Sequence, residues 1–218
     1  MTEFAAARFN MVEGQIRPNK VTDPAIVDAF LAVPRERFVP GPARAIAYVD
    51  EDIPVGSGRF LTEPMVLARM IQEARVASAD RVLLVGAGTG YACAVLARIA
   101  VEVVGVEADR AFADRARSAL GDLGATGVIV LDGPLRAGAP DRAPFDVVVI
   151  DGAVAAVPPS LLAQIGEGGR LVAVVAPQGR FGQALLYERR GGVVSPRALF
   201  DAGTPLLPGF EPVAGFQF

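Results

Sequence analysis

Residues 82–91 read VLLVGAGTGY, an apolar run that ends in Gly86, Gly88 and Gly90 at alternate positions and leads into a helical pattern. Glycine carries no Cβ, so the backbone can turn sharply there and approach a ligand closely. Thr89 belongs to the same loop, and the start of the helix that follows offers free N–H groups to a carboxylate or phosphate. Glu107, 21 residues after Gly86, closes a second apolar run, VEVVGVE. A carboxylate at a strand end can accept hydrogen bonds from both hydroxyls of a ribose. Asp132 ends a third run, GVIVLDG, where it can reach an adenine amino group or form a plain Asp-Gly turn. Asp151 ends a fourth, FDVVVID, where it can orient a ligand or cap a loop. The chemistry in view is capture of a nucleoside-bearing small molecule; the bland alternative is a glycine-rich turn with no ligand.

Spacing narrows the ligand. A dinucleotide fingerprint, G-x-G-x-x-G, requires glycine at position 91, where Tyr91 stands. That disfavours a pyrophosphate site and with it a nicotinamide or flavin oxidoreductase. G-x-G-x-G after a strand resembles motif I of class I S-adenosylmethionine (SAM) methyltransferases. In that class the end of the fourth strand lies beside the reacting methyl, which implies that Asp151 orients methionine or acceptor.

Composition limits mechanism further. The chain has no histidine, so a Ser-His-Asp triad, a Cys-His pair and a His-bearing metal site are all excluded. With one cysteine, Cys93, neither an intramolecular disulfide nor a zinc cluster can form, and no metal is expected. Cys93 sits among small apolar residues and reads as packing against the sheet, with a reactive thiol as the other possibility. The sole lysine, Lys20, lies in a turn sequence, so a reaction that needs no strong general base is favoured. A formal charge of −3 without an arginine run leaves no electrostatic footprint for nucleic acid. No secretory signal or membrane span is read, and a cytoplasmic protein is expected.

The elements that must position these residues follow from periodicity. Residues 1–78 read as a helical extension with loops. TDPAIVDAFLAVP is a helix with Thr22 or Asp23 as cap and Pro24 in its first turn. AYVDEDIPVGSGRF is extended or loop, and Thr62 with Pro64 opens a helix over TEPMVLARMIQEARV, with Thr62 as N-cap. From residue 79 the order is strand (RVLLV), helix (YACAVLARIA), strand (VEVVGVE), helix (DRAFADRARSALGDLG), then the strands GVIVLDG and FDVVVID. A helix over PPSLLAQIGEGG, a strand over RLVAVVA and weaker strands at ALLYERR and VVSPRALF complete it. Short apolar strands alternating with helices predict an α/β, doubly wound, mostly parallel sheet, Rossmann-like, in one domain spanning 1–218. GTPLLPGFEP is a loop on composition.

The chain also resembles one family. MVEGQIRP, VTDPAIVDAFLAVPRERFVP and AYVDEDIPVGSGRFLTEPMVLARM look like the amino-terminal region of protein-L-isoaspartate O-methyltransferases. The glycine motif, VVGVE, LDG and PFDVVVIDGAVAAVPPSLLAQIGEGGRLV are similar to their catalytic half in order and spacing. The resemblance implies methyl transfer from SAM to L-isoaspartyl carboxylates in damaged proteins, giving an ester that collapses to a succinimide and can reopen to aspartate. It also implies that Thr62 stands where the family has a serine that contacts the reaction centre. Gly86, Gly88, Thr89, Gly90, Glu107, Asp132 and Asp151 take the cofactor positions.

The chain departs from the pattern in three places. Arg59-Phe60-Leu61-Thr62 replaces the usual Q-T-I-S, Asp151-Gly152-Ala153 follows the fourth strand, and GFEPVAGFQF lacks the usual arginine-phenylalanine-valine-proline ending. An acid near the acceptor repels a carboxylate substrate unless neutralised. These departures keep two alternatives open: a SAM-dependent enzyme with another small-molecule or peptide acceptor, and a SAM-binding module without turnover.

Overall fold

The structure is a computed structural model and describes residues 2–179 and 181–212. Five consecutive segments form parallel strands. These are β3 (Arg81–Val85), β4 (Glu102–Glu107), β5 (Val128–Asp132), β6 (Phe145–Val154) and β7 (Ile165–Val175). Two further strands, β8 (Phe181–Arg190) and β9 (Val193–Gly203), extend the sheet antiparallel. The sheet order is β5-β4-β3-β6-β7-β8-β9. The chain moves outward from β3 to β5 and then returns to place β6 on the other side of β3. The crevice at the carboxyl ends of β3 and β6 is therefore the topological switch point, where a ligand fits an open sheet.

Apolar residues on both faces explain why these segments pair as buried parallel strands: Val82 through Val85 and Val147 through Ile150 are all at 0 % exposure. One face packs against α4 (Tyr91–Leu96), α5 (Arg110–Asp122) and the amino-terminal helices α1 (Glu3–Met11), α2 (Pro24–Ala32) and α3 (Pro64–Glu73). Met11, Phe30 and Met70 from the extension join Val82, Leu84 and Val149 of the sheet in one apolar cluster. The other face is covered by α6 (Pro159–Leu162), by the turn that carries Leu135, and by Leu207 and Phe210. A hairpin, β1 (Ile53–Gly56) and β2 (Arg59–Leu61), lies in the segment read as extended or loop.

Some boundaries and one cap differ from the sequence reading. Asp23 caps α2, its carboxylate accepting from Ala25 N at 2.8 Å. Thr62 does not cap α3: Glu63 is the N-cap residue and makes no side-chain cap bond, while the Thr62 hydroxyl points elsewhere. The helix expected over 158–169 shrinks to the four residues of α6, because Ile165–Gly169 already belong to β7. Gly169 is what permits this: a Cβ there would stand 2.9 Å from Gly166 O and 3.0 Å from Asp146 O. The helix after the glycine loop likewise ends at Leu96. The two weak strands are, by contrast, long and continuous, β9 running 11 residues.

Candidate functional site

The glycine loop is built by three left-handed turns. Gly86, Gly88 and Gly90 have φ of +89°, +53° and +97°. Gly86 N and Ala87 N both donate to Val106 O at 3.0 Å, which pins the loop to the end of β4. A Cβ on Gly86 would stand 3.2 Å from Asp151 O and from Leu207, and one on Gly90 3.1 Å from Ala116 of α5. Gly88 has room, so there the backbone conformation is what excludes a side chain. Thr89 is buried and its Oγ1 has no hydrogen-bond partner among the described residues. Cys93 is buried in the next turn, its Sγ 2.9 Å from where a Cβ on Gly105 would lie; burial pushes its thiol far up, out of the reactive range.

Glu107, fully buried, faces this loop. Its Oε1 accepts from Ala108 N at 2.9 Å and Asp109 N at 3.2 Å, and its Oε2 from Gly88 N at 2.7 Å. Arg59 of the hairpin grips both oxygens: Nη1 to Oε1 at 3.0 Å and Nη2 to Oε2 at 3.0 Å. A cavity of about 310 Å³ opens here, lined by Ser57, Arg59, Glu107, Asp109, Leu135 and Pro208. A second recess of about 370 Å³ lies between Thr89 and α5, among Arg37, Phe38 and Arg115.

A second polar pair lies at the end of β6. Thr62 Oγ1 donates to Asp151 Oδ1 at 2.6 Å, both residues buried. Burial raises the Asp151 carboxyl to about 6; the Thr62 hydrogen bond and the charges of Arg59 and Arg35 act the other way. Arg35 sits beneath the pair with no exposure, donating from Nε to Ala47 O at 2.7 Å and from Nη2 to Thr62 O at 2.9 Å. Its guanidinium lies 4.9 Å from the centre of the Tyr91 ring, which Phe30 and Phe38 flank edge-on. Asp52 ties the site to its surroundings, accepting at Oδ1 from Glu63 N and Thr204 Oγ1, each at 3.0 Å.

The fold thus gathers Thr62, Gly86, Gly88, Thr89, Gly90, Glu107 and Asp151 around the switch point. Asp132 stands beside Glu107 in register but is exposed, and Arg117 holds it at 2.8 Å, outside the buried cluster. Sequence reasoning did not assign Arg35 to the site. RERFVP, which carries it, bears on the family resemblance alone, and an arginine among apolar residues is the available signal. Leu207 was missed too; it lies over Gly86 and Gly152, and a Cβ on Gly152 would be 2.7 Å from Leu207 Cγ. The segment read as a loop is therefore a strap across the site, held by Leu207 N to Ala153 O at 2.8 Å and Ala153 N to Pro205 O at 3.0 Å. Of GFEPVAGFQF, residues 213–218 lie outside the described residues.

The family model for protein-L-isoaspartate(D-aspartate) O-methyltransferase matches residues 7–199. The chain belongs to this family. It is 44% identical over 188 residues to the protein-L-isoaspartate O-methyltransferase of Methylorubrum extorquens (strain PA1), covering 86% of this chain and 81% of that protein. The enzyme of the same name from Methanoculleus marisnigri (strain ATCC 35101 / DSM 1498 / JR1) is 40% identical, with 85% and 84% covered. Among solved structures, a protein-L-isoaspartate O-methyltransferase superposes with a TM-score of 0.82 at 25% identity, covering 94% of this chain and 67% of that one. A Plasmodium falciparum protein described as a putative member, solved with S-adenosyl-L-homocysteine, shares the fold at TM-score 0.78 and 15% identity, with 95% and 99% covered.

Proposed function

We propose that this chain is a SAM-dependent carboxyl O-methyltransferase acting on L-isoaspartyl residues of damaged proteins. The observation that carries the reading is the bond from Gly88 N of the glycine loop to Glu107, which lines a cavity at the strand ends, together with the Thr62–Asp151 pair, in a chain of this family. The residues fit SAM. Gly88 holds a left-handed φ with room at its Cβ position, Glu107 offers a carboxylate to a diol once the Arg59 guanidinium gives way, and Leu135 and Pro208 add an apolar wall. When bound, SAM supplies a methyl group on a sulfonium, an electrophile with a good leaving group.

The protein's share of the chemistry is then positional. An isoaspartyl carboxylate, with an ordinary pKa of about 4, is already an anion at neutral pH, so no general base is required. This suits a chain without histidine. Thr62 offers a hydroxyl at the acceptor position, and Arg35 fixes it by holding the Thr62 carbonyl. Asp151 is largely ionised at neutral pH even with its carboxyl raised to about 6, and the positive charges of Arg59 and Arg35 offset its repulsion of the acceptor. Leu207 of the strap covers Gly86 and Gly152 with apolar surface. Alignment of this kind can supply several kcal/mol toward the barrier.

The reading places the enzyme with its protein substrates in the cytoplasm, and a single buried free thiol suits a reducing compartment. Among the described residues no helix is long and apolar enough to cross a membrane. Incubating a purified isoaspartyl peptide with the enzyme and SAM tests the function. Chromatography is expected to show progressive conversion to the aspartyl peptide; no conversion by folded, SAM-binding protein would overturn the repair reading.

A further inference from the structure

Arg59 and Glu107 form a bidentate pair whose side chains are 4 % and 1 % exposed. With this pair formed, Glu107 already accepts four hydrogen bonds, three from backbone N–H groups and one from the guanidinium, whose Nη2 also lies 3.0 Å from Oε2. A carboxylate offers about four lone-pair sites, so a ribose diol finds none open until the guanidinium leaves. The buried Arg59 Nε has no hydrogen-bond partner among the described residues, and Arg59 lines the same cavity. The turn before it has no packing to disturb: Gly56, Ser57 and Gly58 all have positive φ, are exposed, and the glycines have nothing within 4 Å of a Cβ position.

A buried guanidinium that gives up one carboxylate must find another, because leaving it unpaired costs several kcal/mol. Arg59 Nη2 lies 3.6 Å from where a Cβ on Gly88 would stand, so the guanidinium already borders the glycine loop, whose Gly86 abuts Asp151 at the end of β6. We propose that Arg59 exchanges carboxylates: ligand uptake replaces its pair with Glu107 by a pair with a ligand carboxylate. It is a positioning and specificity residue for this reaction. Two ligand carboxylates share that chemistry, the amino-acid end of SAM and the isoaspartyl side chain. The inference rests on the SAM reading above.

Calorimetry on the wild type, Arg59→Gln and Arg59→Lys tests it, with 5′-methylthioadenosine (diol, no carboxylate) and S-adenosylhomocysteine (diol and carboxylate) as probes. Circular dichroism first checks folding, and Arg59→Lys keeps the charge if Arg59→Gln fails to fold. Freed from its competitor, Glu107 in Arg59→Gln is expected to bind methylthioadenosine at least about fivefold more tightly. If the donor carboxylate is the partner, S-adenosylhomocysteine loses affinity relative to methylthioadenosine. If the acceptor is, both probes gain alike and the isoaspartyl peptide KM rises at least about tenfold. A lysine ammonium cannot fork across two oxygens, so Arg59→Lys falls between the wild type and Arg59→Gln. Unchanged or equally weakened binding of both probes by folded variants, with an unchanged peptide KM, would overturn the exchange. Failure of the wild type itself to bind S-adenosylhomocysteine would instead overturn the SAM reading.

Discussion

The hydroxyl of Thr62, at the end of the hairpin segment, donates to the carboxylate of Asp151, 89 residues later, at 2.6 Å. This bond joins the amino-terminal extension to the switch point of the sheet. The Thr62 side chain is turned toward Asp151, and the N-cap position of α3 falls on Glu63.

Thr62 variants separate bonding from chemistry. Thr62→Val leaves Asp151 without this donor and is expected to cost roughly 1–3 kcal/mol of stability, the range for a buried polar group left unsatisfied. Thr62→Ser should keep both stability and turnover. If the hydroxyl also serves the acceptor, Thr62→Val and Thr62→Asn lose at least about tenfold in kcat per folded molecule, about 1.4 kcal/mol of transition-state stabilisation. SAM affinity should change little. Wild-type turnover in folded Thr62→Val would reduce the residue to a structural role.

Asp151 makes stability depend on pH. Burial raises its carboxyl to about 6, against about 4 in an unfolded chain. Between those values the unfolded state releases the proton while the folded state keeps it. The contribution to stability is therefore fully present below about pH 4 and is lost as pH rises through about 6. Urea midpoints of the wild type and Asp151→Asn at pH 4 and pH 7.5 measure this. The wild type should lose roughly 2–3 kcal/mol relative to the variant across that interval. Parallel pH profiles would contradict a raised carboxyl.

The glycines should not fail alike. Gly88→Ala has space, so it should fold at a cost of roughly 1–2 kcal/mol for its left-handed backbone. Its methyl then stands in the path of a ligand, weakening SAM binding at least about tenfold. Gly86→Val adds a clash with Asp151 O and Leu207 and should mainly reduce the yield of folded protein. Thermal melts beside SAM titrations distinguish the two, and a Gly88→Ala variant with full affinity would remove the loop from the site.

Cys93 packs against Gly105, which leaves no room for growth and gives the thiol no route to reactivity. Cys93→Ala should turn over normally, whereas Cys93→Leu should overpack and destabilise by roughly 1–3 kcal/mol. Loss of chemistry in folded Cys93→Ala would contradict the packing role.

The site was legible where a local pattern carries it. Alternating glycines after an apolar run, and an acid at the end of the next strand, are short-range signals that this topology brings together. Gly88 and Glu107 meet because β3 and β4 are adjacent and parallel. What sequence reading lacked were partners distant along the chain. The Arg59–Glu107 and Thr62–Asp151 pairs span 48 and 89 residues, and no periodicity announces them. Thr62 before Pro64 matches a capping pattern, and only the position of Asp151 in space redirects its hydroxyl. The strap was illegible for a related reason. TPLLPG has a loop's composition, and its bond to Ala153 depends on the bulge in β6 between Val149 and Ala153.

The most direct test is methyl transfer from labelled SAM to an L-isoaspartyl peptide and to its aspartyl twin, which differ only in which carboxylate is free. The account predicts base-labile label on the isoaspartyl peptide alone, transfer that persists at neutral pH without metal or added base, and loss of transfer in Gly88→Ala. Equal labelling of both peptides, or none on either by protein that binds SAM, would contradict it.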